Sequence, residues 1–399
     1  MSAAPGRRLR IAVLGDFDGP HTRRWLRVFV ERGHELHAIS FYAPVSALDG
    51  VNLHVLGGSA APLPAGDRGG QGTAAGLARR LPPDLLRLLH AWRYARAGLN
   101  QTLRAIGPDV FHAHYVVEHG FYGSFAACHP YVVSAWGSDL FVAARRPLGR
   151  LIARRALAAA DLVTANDPAL AAGAVALGVA PDRVAVVRLG LDEAFLGPSE
   201  PSINLRPDAA APPTLISDRA LEPLYNVGRV VEAFARLRRR LPAARLLIAN
   251  DGGERPRLER LAGELRLGEA VRFLGRIDTA RLRQVLAAAH VYVSVPSTDS
   301  LALSTMEAMA AGAFPVVSDL ASQDGWVGDG ANGLRVAAGS VDALAEALYA
   351  ALSDAERRRA AVAPNRAKVE AEGDLRKNMA VMERHYYRLA GLAVPKDAV

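Results

Sequence analysis

Short apolar segments alternate with amphipathic helical segments along the chain, and this feature constrains the fold more than any other. The chain opens with a strand pattern over 10–15, a turn over 16–20, a helical pattern that ends near Gly33 and a second strand pattern over 35–41. Parallel strands need helical crossovers, so this order is typical of a parallel sheet. Further strands are predicted over 109–112, 131–134, 162–165 and 184–189.

A proline-rich segment interrupts this alternation. It holds Pro198, Pro201, Pro207, Pro212 and Pro213 among polar residues, a composition typical of a linker. The alternation then restarts, with strands predicted over 214–217, 244–249, 271–274, 291–295 and 314–318. The sequence therefore predicts an α/β fold with two Rossmann-like, doubly wound domains that face each other across a cleft. The predicted boundaries are residues 1–196, a linker over 197–213, residues 214–374 and a final helix over 375–399.

The lysine and cysteine content excludes several classes of protein. Arginine carries almost all of the positive charge behind the net charge of +8, and the only lysines are Lys368, Lys377 and Lys396. A P-loop NTPase needs a lysine beside its glycines and is excluded, and a pyridoxal-phosphate enzyme needs a Schiff-base lysine and is disfavoured. The single cysteine, Cys128, excludes a disulfide framework and a cysteine-ligated zinc site.

The apolar patterns also bear on location. The apolar run over 11–14 is too short for a signal peptide, and no stretch approaches the roughly 20 apolar residues of a membrane span. We therefore expect a soluble, cytoplasmic protein. A helical stretch over 81–106 follows a Gly- and Pro-rich loop over 57–76 and carries arginines beside leucines and Trp92. Such a helix could lie on a membrane surface, or it could pack on the core with a solvated arginine face.

Three polar turns follow predicted strands of the first domain, at the sheet edge where ligands bind in α/β proteins. The Gly15-Asp16 turn lets a ligand approach the backbone before a helix, although it is not a dinucleotide fingerprint. His112 and His114 lie on the same face of a strand, and no third residue at a natural spacing completes a metal site. His114 could therefore hydrogen-bond a substrate hydroxyl or be structural. The turn 134–139 could contact substrate or cap a helix.

The strongest motif lies between a strand that ends at Val295 and a helix predicted to begin near Ser304. Asp299 lies in the turn, and Glu307 is expected in the first turn of the helix. Backbone amides at a helix start can bind a diphosphate, while carboxylates can bind ribose and sugar hydroxyls. This segment could therefore bind all three parts of a nucleotide sugar. An acidic helix N-terminus is also favourable for the helix dipole alone.

These motifs, in this order, resemble the family 4 retaining glycosyltransferases of the GT-B architecture. The resemblance extends over about residues 10–352, and its most specific part is the Glu-x7-Glu motif, here Asp299-x7-Glu307 followed by Ala-Met-Ala-Ala-Gly. The chain is also similar to the family in His112-Ala-His114, in Trp136-Gly-Ser-Asp139, and in the segments 161–164, 271–275 and 329–333.

The resemblance implies a reaction and a role for each motif residue. A sugar would pass with retention from a nucleoside diphosphate sugar, UDP first and GDP second, to a hydroxyl of a glycan, lipid-linked or small-molecule acceptor. No metal, cofactor or nucleic acid is implied, and contact with the inner face of a membrane stays open. Glu307 would bind the ribose, Asp299 would hold the transferred sugar, and His114 would approach the reacting sugar. The other donor-binding residues implied are Gly15, Asp16, Arg219, Arg276, Ile277, Ser300, Leu303 and Ser304.

The chain departs from the family pattern at three positions. Asp299 replaces the usual Glu and is shorter by one methylene, and Ala302 replaces the usual Gly. The family pairs an Arg with a Lys a few residues later, but Arg219 is followed by Leu224 or Tyr225 at that place. Charge on the leaving diphosphate must still be stabilised, which leaves Arg219, the helix amides and another arginine such as Arg188 or Arg276. Two alternatives therefore stay open: a GT-B sugar-nucleotide epimerase, and a catalytically weak binding protein.

Overall fold

A computed structural model describes residues 7–56, 83–141, 143–197, 202–205, 211–328, 330–337 and 339–395. The predicted loop over 57–76 and parts of the predicted linker over 197–213 lie outside these residues. The chain divides into two compact units. Unit 1 comprises residues 1–189 and 376–399, and unit 2 comprises residues 190–375.

Unit 1 is built on a seven-stranded sheet in which every pairing is parallel. Its strand order is β3-β2-β1-β4-β5-β6-β7. The strands are β1 (Arg10–Leu14), β2 (Glu35–Ser40), β3 (Val51–Val55), β4 (Val110–His114), β5 (Tyr131–Ala135), β6 (Leu162–Ala165) and β7 (Val184–Val186). Strand β3 was missed in the sequence, although its apolar residues alternate with Asn52 and His54, because this edge strand is short and largely exposed and so lacks a continuous apolar run.

Helices cover both faces of this sheet, so its central strands are almost wholly apolar. The helices are α1 (Pro20–Glu31), α2 (Pro83–Arg96), α3 (Leu99–Ile106), the single turn α4 (Phe121–Gly123), α5 (Ser138–Phe141), α6 (Pro147–Ala159) and α7 (Pro168–Ala176). The predicted helical stretch over 81–106 is divided into α2 and α3, because Gly98 takes a left-handed φ of 92° and ends the first helix.

Unit 2 repeats the same architecture with a six-stranded parallel sheet of order β10-β9-β8-β11-β12-β13. The strands are β8 (Thr214–Ser217), β9 (Arg245–Ile248), β10 (Val271–Phe273), β11 (Val291–Ser294), β12 (Phe314–Ser318) and β13 (Leu334–Val336). The helices are α8 (Glu193–Leu196), α9 (Val227–Arg238), α10 (Arg255–Glu264), α11 (Thr279–Ala287), α12 (Leu303–Ala311), α13 (Val341–Ser353) and α14 (Ala355–Glu372). The short strand β13 was also missed.

The strand orders determine where a ligand can bind. In unit 1 the order reverses beside β1, which lies between β2 and β4, and in unit 2 it reverses beside β8, which lies between β9 and β11. A crevice forms at such a switch point, outside the carboxyl ends of the strands. The expected ligand-binding positions are therefore the carboxyl ends of β1 and β4 in unit 1 and of β8 and β11 in unit 2.

The last helix, α15 (Leu375–Leu389), completes the core of unit 1. Its Glu383 is only 1% exposed and accepts hydrogen bonds from Arg32 and from His34, the latter at 2.7 Å. Its Tyr386 packs against Phe29 of α1 and lies 2.6 Å from Nδ1 of His112. Residues from the two ends of the chain are thus buried together on one face of the sheet.

We expect the substitution Glu383→Ala to lower the free energy of unfolding of unit 1 by about 3 kcal/mol, because it leaves Arg32 and His34 without their buried anion. Urea unfolding, with hydrogen exchange of the α15 amides to locate the loss, measures this. Glu346→Ala is the matched control, since Glu346 pairs with Arg240 on the surface of unit 2 and should change stability by under about 1 kcal/mol. Equal effects of the two substitutions would contradict the assigned role of Glu383.

Candidate active site

In unit 1, Gly15 and His114 lie side by side. Gly15 directly follows β1, His114 ends β4, and the two strands are neighbours in the sheet. A Cβ atom placed on Gly15 would lie 3.7 Å from Nδ1 of His114, an ordinary van der Waals distance. Asp16 accepts a hydrogen bond from the Asp18 amide at 3.0 Å. The structure thus places these sequence-predicted residues at the switch point of unit 1.

His114 is a buried, neutral imidazole with one unused nitrogen. Its Nδ1 lies 3.4 Å from Oγ1 of Thr22, and its ring packs against Trp25 and Trp136. Nε2 has no hydrogen-bond partner among the residues that the structure describes. Burial and the charges of His112 and His119 hold the pKa of His114 well below its usual value. At neutral pH, Nε2 can therefore donate to or accept from a ligand without carrying a charge.

His112, by contrast, is structural. Its Nδ1 lies 2.6 Å from the Tyr386 hydroxyl, and its Nε2 lies 2.8 Å from Oγ of Ser134. Burial lowers its pKa to about 3. In the described part of the chain, no group of three His, Cys, Asp or Glu side chains is arranged to hold a metal ion. Of this histidine pair, only His114 has a ring nitrogen without a hydrogen-bond partner among the described residues.

Asp139 organises the turn after β5. Its carboxylate accepts hydrogen bonds from the amides of Val116, Trp136 and Gly137, at 2.9, 3.2 and 2.7 Å. Gly137 has a φ of 146°, a conformation that other residues rarely adopt. These contacts favour the capping interpretation of the turn over direct contact of Asp139 with substrate.

Sequence reasoning missed two features next to His114. Tyr115 has a φ of 69°, which is unusual for a residue other than glycine and turns the chain sharply after β4. Glu118 follows in the same π-helical turn, where burial raises its pKa and the charge of Arg87 opposes that shift. Glu118 follows His114 after three intervening residues. This closeness to the His112-Ala-His114 motif was the only feature of the sequence that could have indicated Glu118.

In unit 2, Arg219 forms the centre of the candidate site. It lies two residues beyond the end of β8 at Ser217 and donates hydrogen bonds to Asp299 at 2.6 Å and to Oγ of Ser304 at 2.8 Å. Its guanidinium group lies over the ring of Tyr225, 4.3 Å from the ring centroid. Burial is the largest single influence and works to lower the pKa of Arg219, but Asp299, with smaller contributions from Tyr292, Tyr225 and Asp218, outweighs it and raises the pKa. Arg219 therefore stays cationic in a largely buried place.

Tyr292 and Asp218 contact Ser304 and Arg219 from the sheet side. The hydroxyl of Tyr292, on the central strand β11, donates to Oγ of Ser304 at 2.8 Å. Burial raises the pKa of Asp218, against the charge of Arg219 and a hydrogen bond with Tyr292. One carboxylate oxygen of Asp218 has no partner within the described residues. Asp218 and Tyr292 were both missed in the sequence, although Asp218 directly precedes Arg219 at a strand end.

Helix α12 presents its first backbone amides beside this cluster. It begins at Leu303 with Ala302 as N-cap, and an alanine side chain has no oxygen to accept those amides. Ser300 is buried in the preceding turn. Because the helix begins at Leu303, Glu307 lies in its second turn. The prediction that it lies in the first turn is wrong. The Glu307 side chain is 7% exposed.

Arg276 and Ile277 lie further from the cluster. They follow β10, the edge strand, which β9 separates from β8. Arg276 is exposed, and its charge contributes to the lowered pKa of Asp251, whose largest cause is a hydrogen bond from the Gly252 amide. Ile277 is half-buried against the apolar cluster of α11 and α12. The structure thus gathers Arg219, Asp299, Ser304 and the start of α12, and leaves these two residues at the rim.

Two doubly wound units, with a cation and helix amides at one switch point and an uncharged histidine at the other, fit an enzyme that handles a phosphorylated substrate. Residues 19–190 match the family model described as a glycosyl transferase 4-like domain, and residues 206–368 match that of the glycosyl transferases group 1. The chain belongs to the family 4 glycosyltransferases and has the GT-B fold.

Relatives and solved structures agree with this assignment. The chain is 35% identical over 228 residues to a D-inositol 3-phosphate glycosyltransferase of Nocardia farcinica, with 54% of this chain and 50% of the relative covered. It is 36% identical over 126 residues to the lipopolysaccharide core biosynthesis glycosyltransferase LpsE of Rhizobium meliloti, with 31% and 35% covered. The chain thus spans about half the length, or less, of these curated relatives.

Similar folds extend over nearly the whole chain. Sucrose-phosphate synthase from Thermosynechococcus elongatus superposes with a TM-score of 0.77 at 19% identity, covering 96% of this chain and 100% of that one. Anabaena HepE, solved in complex with UDP and glucose, superposes with a TM-score of 0.72 at 18% identity, with the same coverage. At these identities the likeness shows the fold.

We expect Tyr292→Phe to lower the free energy of unfolding of unit 2 by about 1–2 kcal/mol, because it removes one hydroxyl and leaves Ser304 and Asp218 short of a buried hydrogen bond. Urea unfolding measures the change. Tyr349→Phe, which removes a hydroxyl from the half-exposed ring beside Arg240, is the control and should change stability by less than half as much. A Tyr292→Phe protein as stable as its parent would show that the network does not hold the site.

Proposed function

We propose that this glycosyltransferase transfers a hexose-type sugar, with retention of configuration and without a metal ion, from a nucleoside diphosphate sugar to an acceptor hydroxyl. UDP is the first candidate nucleotide and GDP the second. The acceptor is a glycan, a lipid-linked sugar or a small molecule, and the proposed location is the cytoplasm. The observation that carries the proposal is the contact of Arg219 with Asp299 and Ser304 at the start of α12.

In this proposal, the start of α12 binds the donor diphosphate. The amides of Leu303 and Ser304 and the guanidinium group of Arg219 supply positive potential without a metal ion. Glu307 binds the ribose hydroxyls, and its location one turn into the helix is consistent with that reach. Arg276 and Ile277, at the rim, take the side of the base, and Ser300 lies in the turn beneath the sugar. HepE, whose structure was solved with UDP and glucose, is one reason to test UDP first.

Tyr225 explains how the site could work without the second cation that the family usually has. Its ring lies against the guanidinium group of Arg219, at or next to the position in the sequence where the family has lysine. A cation–π contact of this kind fixes an arginine without neutralising it. Asp299, which accepts a hydrogen bond from Arg219 at 2.6 Å, is the anion that competes with the diphosphate for that cation.

His114 and Gly15 supply the proposed contacts from unit 1. The uncharged Nε2 of His114 can hydrogen-bond a sugar hydroxyl, and the turn at Gly15 and Asp16 can present backbone amides. As the anomeric C–O bond breaks, positive charge develops on the sugar ring, and an uncharged imidazole does not oppose it. The acceptor hydroxyl then attacks from the face that the diphosphate leaves.

We expect UDP and UDP-sugars to raise the melting temperature, because a ligand that binds only the native state stabilises it by RT ln(1 + [L]/Kd). A thermal-shift panel of UDP, GDP, ADP and their sugar conjugates measures this. Glu307→Ala should lose most of the shift, while Glu264→Ala, on α10, should keep it. No shift with any nucleotide at millimolar concentration would leave the binding-protein alternative, and product analysis separates transfer from epimerisation.

We expect Asp299→Asn to bind UDP about tenfold more tightly than the parent, because it frees Arg219 from a competing anion. The same substitution should slow sugar transfer, since Asp299 is proposed to hold the sugar. Calorimetry with UDP and a donor-consumption assay measure the two effects. Asp324→Asn, which removes an exposed partner of Arg335, is the control. Weaker UDP binding by Asp299→Asn would mean that the ion pair positions Arg219 and does not compete with the diphosphate.

A further inference from the structure

Helix α2 exposes apolar side chains on its outer face. Leu85, Leu88, Leu89 and Trp92 are 39%, 40%, 41% and 59% exposed. Their spacing of three, one and three residues places them on one side of the helix. The opposite side carries Ala91 and Tyr94, which are buried in the core of unit 1. The outer face of α2 therefore presents four partly exposed apolar side chains.

The exposed apolar residues continue on the neighbouring helices. Helix α2 packs against α4 and α6, in the layer that covers one face of the unit 1 sheet. Phe125, two residues after α4, is 45% exposed, and Leu148 and Leu151 of α6 are 39% and 64% exposed. Exposed apolar side chains on adjoining helices are typical of a site of interaction with a membrane or a protein. We call the exposed residues of α2, of α6 and at Phe125 the apolar layer surface.

Arginines accompany this surface. Residues 140–160 contain five arginines and no acidic residue. All five have exposed side chains; they are Arg145, Arg146, Arg150, Arg154 and Arg155. The Arg155 guanidinium group lies 5.0 Å from the centroid of the exposed Phe125 ring and donates a hydrogen bond to the carbonyl of Ser124. Positive charge and exposed apolar side chains are thus in direct contact.

We propose that the apolar layer surface docks unit 1 onto an anionic lipid bilayer. Leucine, phenylalanine and tryptophan side chains partition into the interface of a bilayer, while arginines pair with lipid phosphates and extend their apolar stems along the surface. Both kinds of residue are needed, and both occur here. The contact is peripheral, since no helix of the described residues is long and apolar enough to cross a membrane. It depends on unit 1 alone and is independent of the proposed donor site in unit 2.

Cosedimentation of the full chain with vesicles tests this proposal. The vesicles contain phosphatidylcholine alone or phosphatidylcholine mixed with phosphatidylglycerol. We expect binding to the mixed vesicles only, and a fall of at least tenfold in the partition coefficient between low and high salt, because the Debye length shortens. Fluorescence gives a second readout. Of the four tryptophans, Trp25 and Trp326 are buried, Trp136 is half-buried and Trp92 is 59% exposed, so a blue shift on binding should come chiefly from Trp92 and should be greatly reduced in Trp92→Phe.

Matched variants separate this surface from general positive charge. Replacing Arg145, Arg146, Arg150 and Arg154 by Gln should lower the partition coefficient at least tenfold. The control set changes the same number of exposed arginines in unit 2, at Arg236, Arg240, Arg257 and Arg272, and should bind as the parent does. Leu89→Ser with Leu151→Ser should also reduce binding, whereas Leu205→Ser with Leu265→Ser, exposed in unit 2, should not.

Several outcomes would overturn the proposal. They are no binding to anionic vesicles, equal losses in the two arginine sets, unchanged binding in the paired leucine variant, and a dimer in solution that the same leucine substitutions dissociate. The last would mean that a second copy of the chain covers this surface. Each variant's thermal unfolding and nucleotide binding are measured in parallel, so that misfolding or loss of the donor site is recognised and not counted as loss of lipid binding.

Discussion

Parallel strand pairing is the constraint on which the rest of this molecule depends. Parallel strands require crossover helices, the helices cover both faces of each sheet, and the strands between them are therefore mostly apolar, with a few hydrogen-bonded polar side chains such as His112 and Ser134. Polar residues that must meet a ligand are left with one place, the carboxyl ends of the strands. In unit 2 this brings Arg219, after β8, next to Asp299, after β11, although 80 positions separate them in the sequence.

The apolar strands explain why much of the fold could be predicted. The apolar runs 11–14 and 314–317 are continuous, and a buried parallel strand needs nothing else. The edge strands β3 and β13 were missed because they are short and only partly buried. Neither therefore contains the continuous apolar run that identifies the central strands. The division between α2 and α3 was missed because a single glycine inside a helical pattern does not by itself end a helix. Its left-handed φ depends on the packing of both helices.

The candidate site was harder to predict than the fold. Motif spacing indicated Asp299, Ser304 and Glu307, since all three lie in one strand–turn–helix segment. It could not indicate that Arg219 pairs with Asp299, that Tyr292 reaches Ser304 from inside the sheet, or that Tyr115 has a positive φ. Those features depend on which strands are neighbours and on how far side chains reach between them, and neither is encoded locally. The roles of the two histidines could not be predicted for the same reason. His112 is structural because it hydrogen-bonds Tyr386, which comes from the far end of the chain.

The place of α15 has a consequence for how the chain is made. Glu383 is the buried partner of Arg32 and His34, and about 350 residues of chain separate them. During synthesis the N-terminal sheet therefore leaves the ribosome long before the helix that covers one of its faces, and all of unit 2 is made in between. Domains tend to fold in the order of their synthesis. Here the unit that begins first finishes last, so unit 2 can fold to completion while unit 1 still exposes Trp25 and Phe29 to water or to a chaperone.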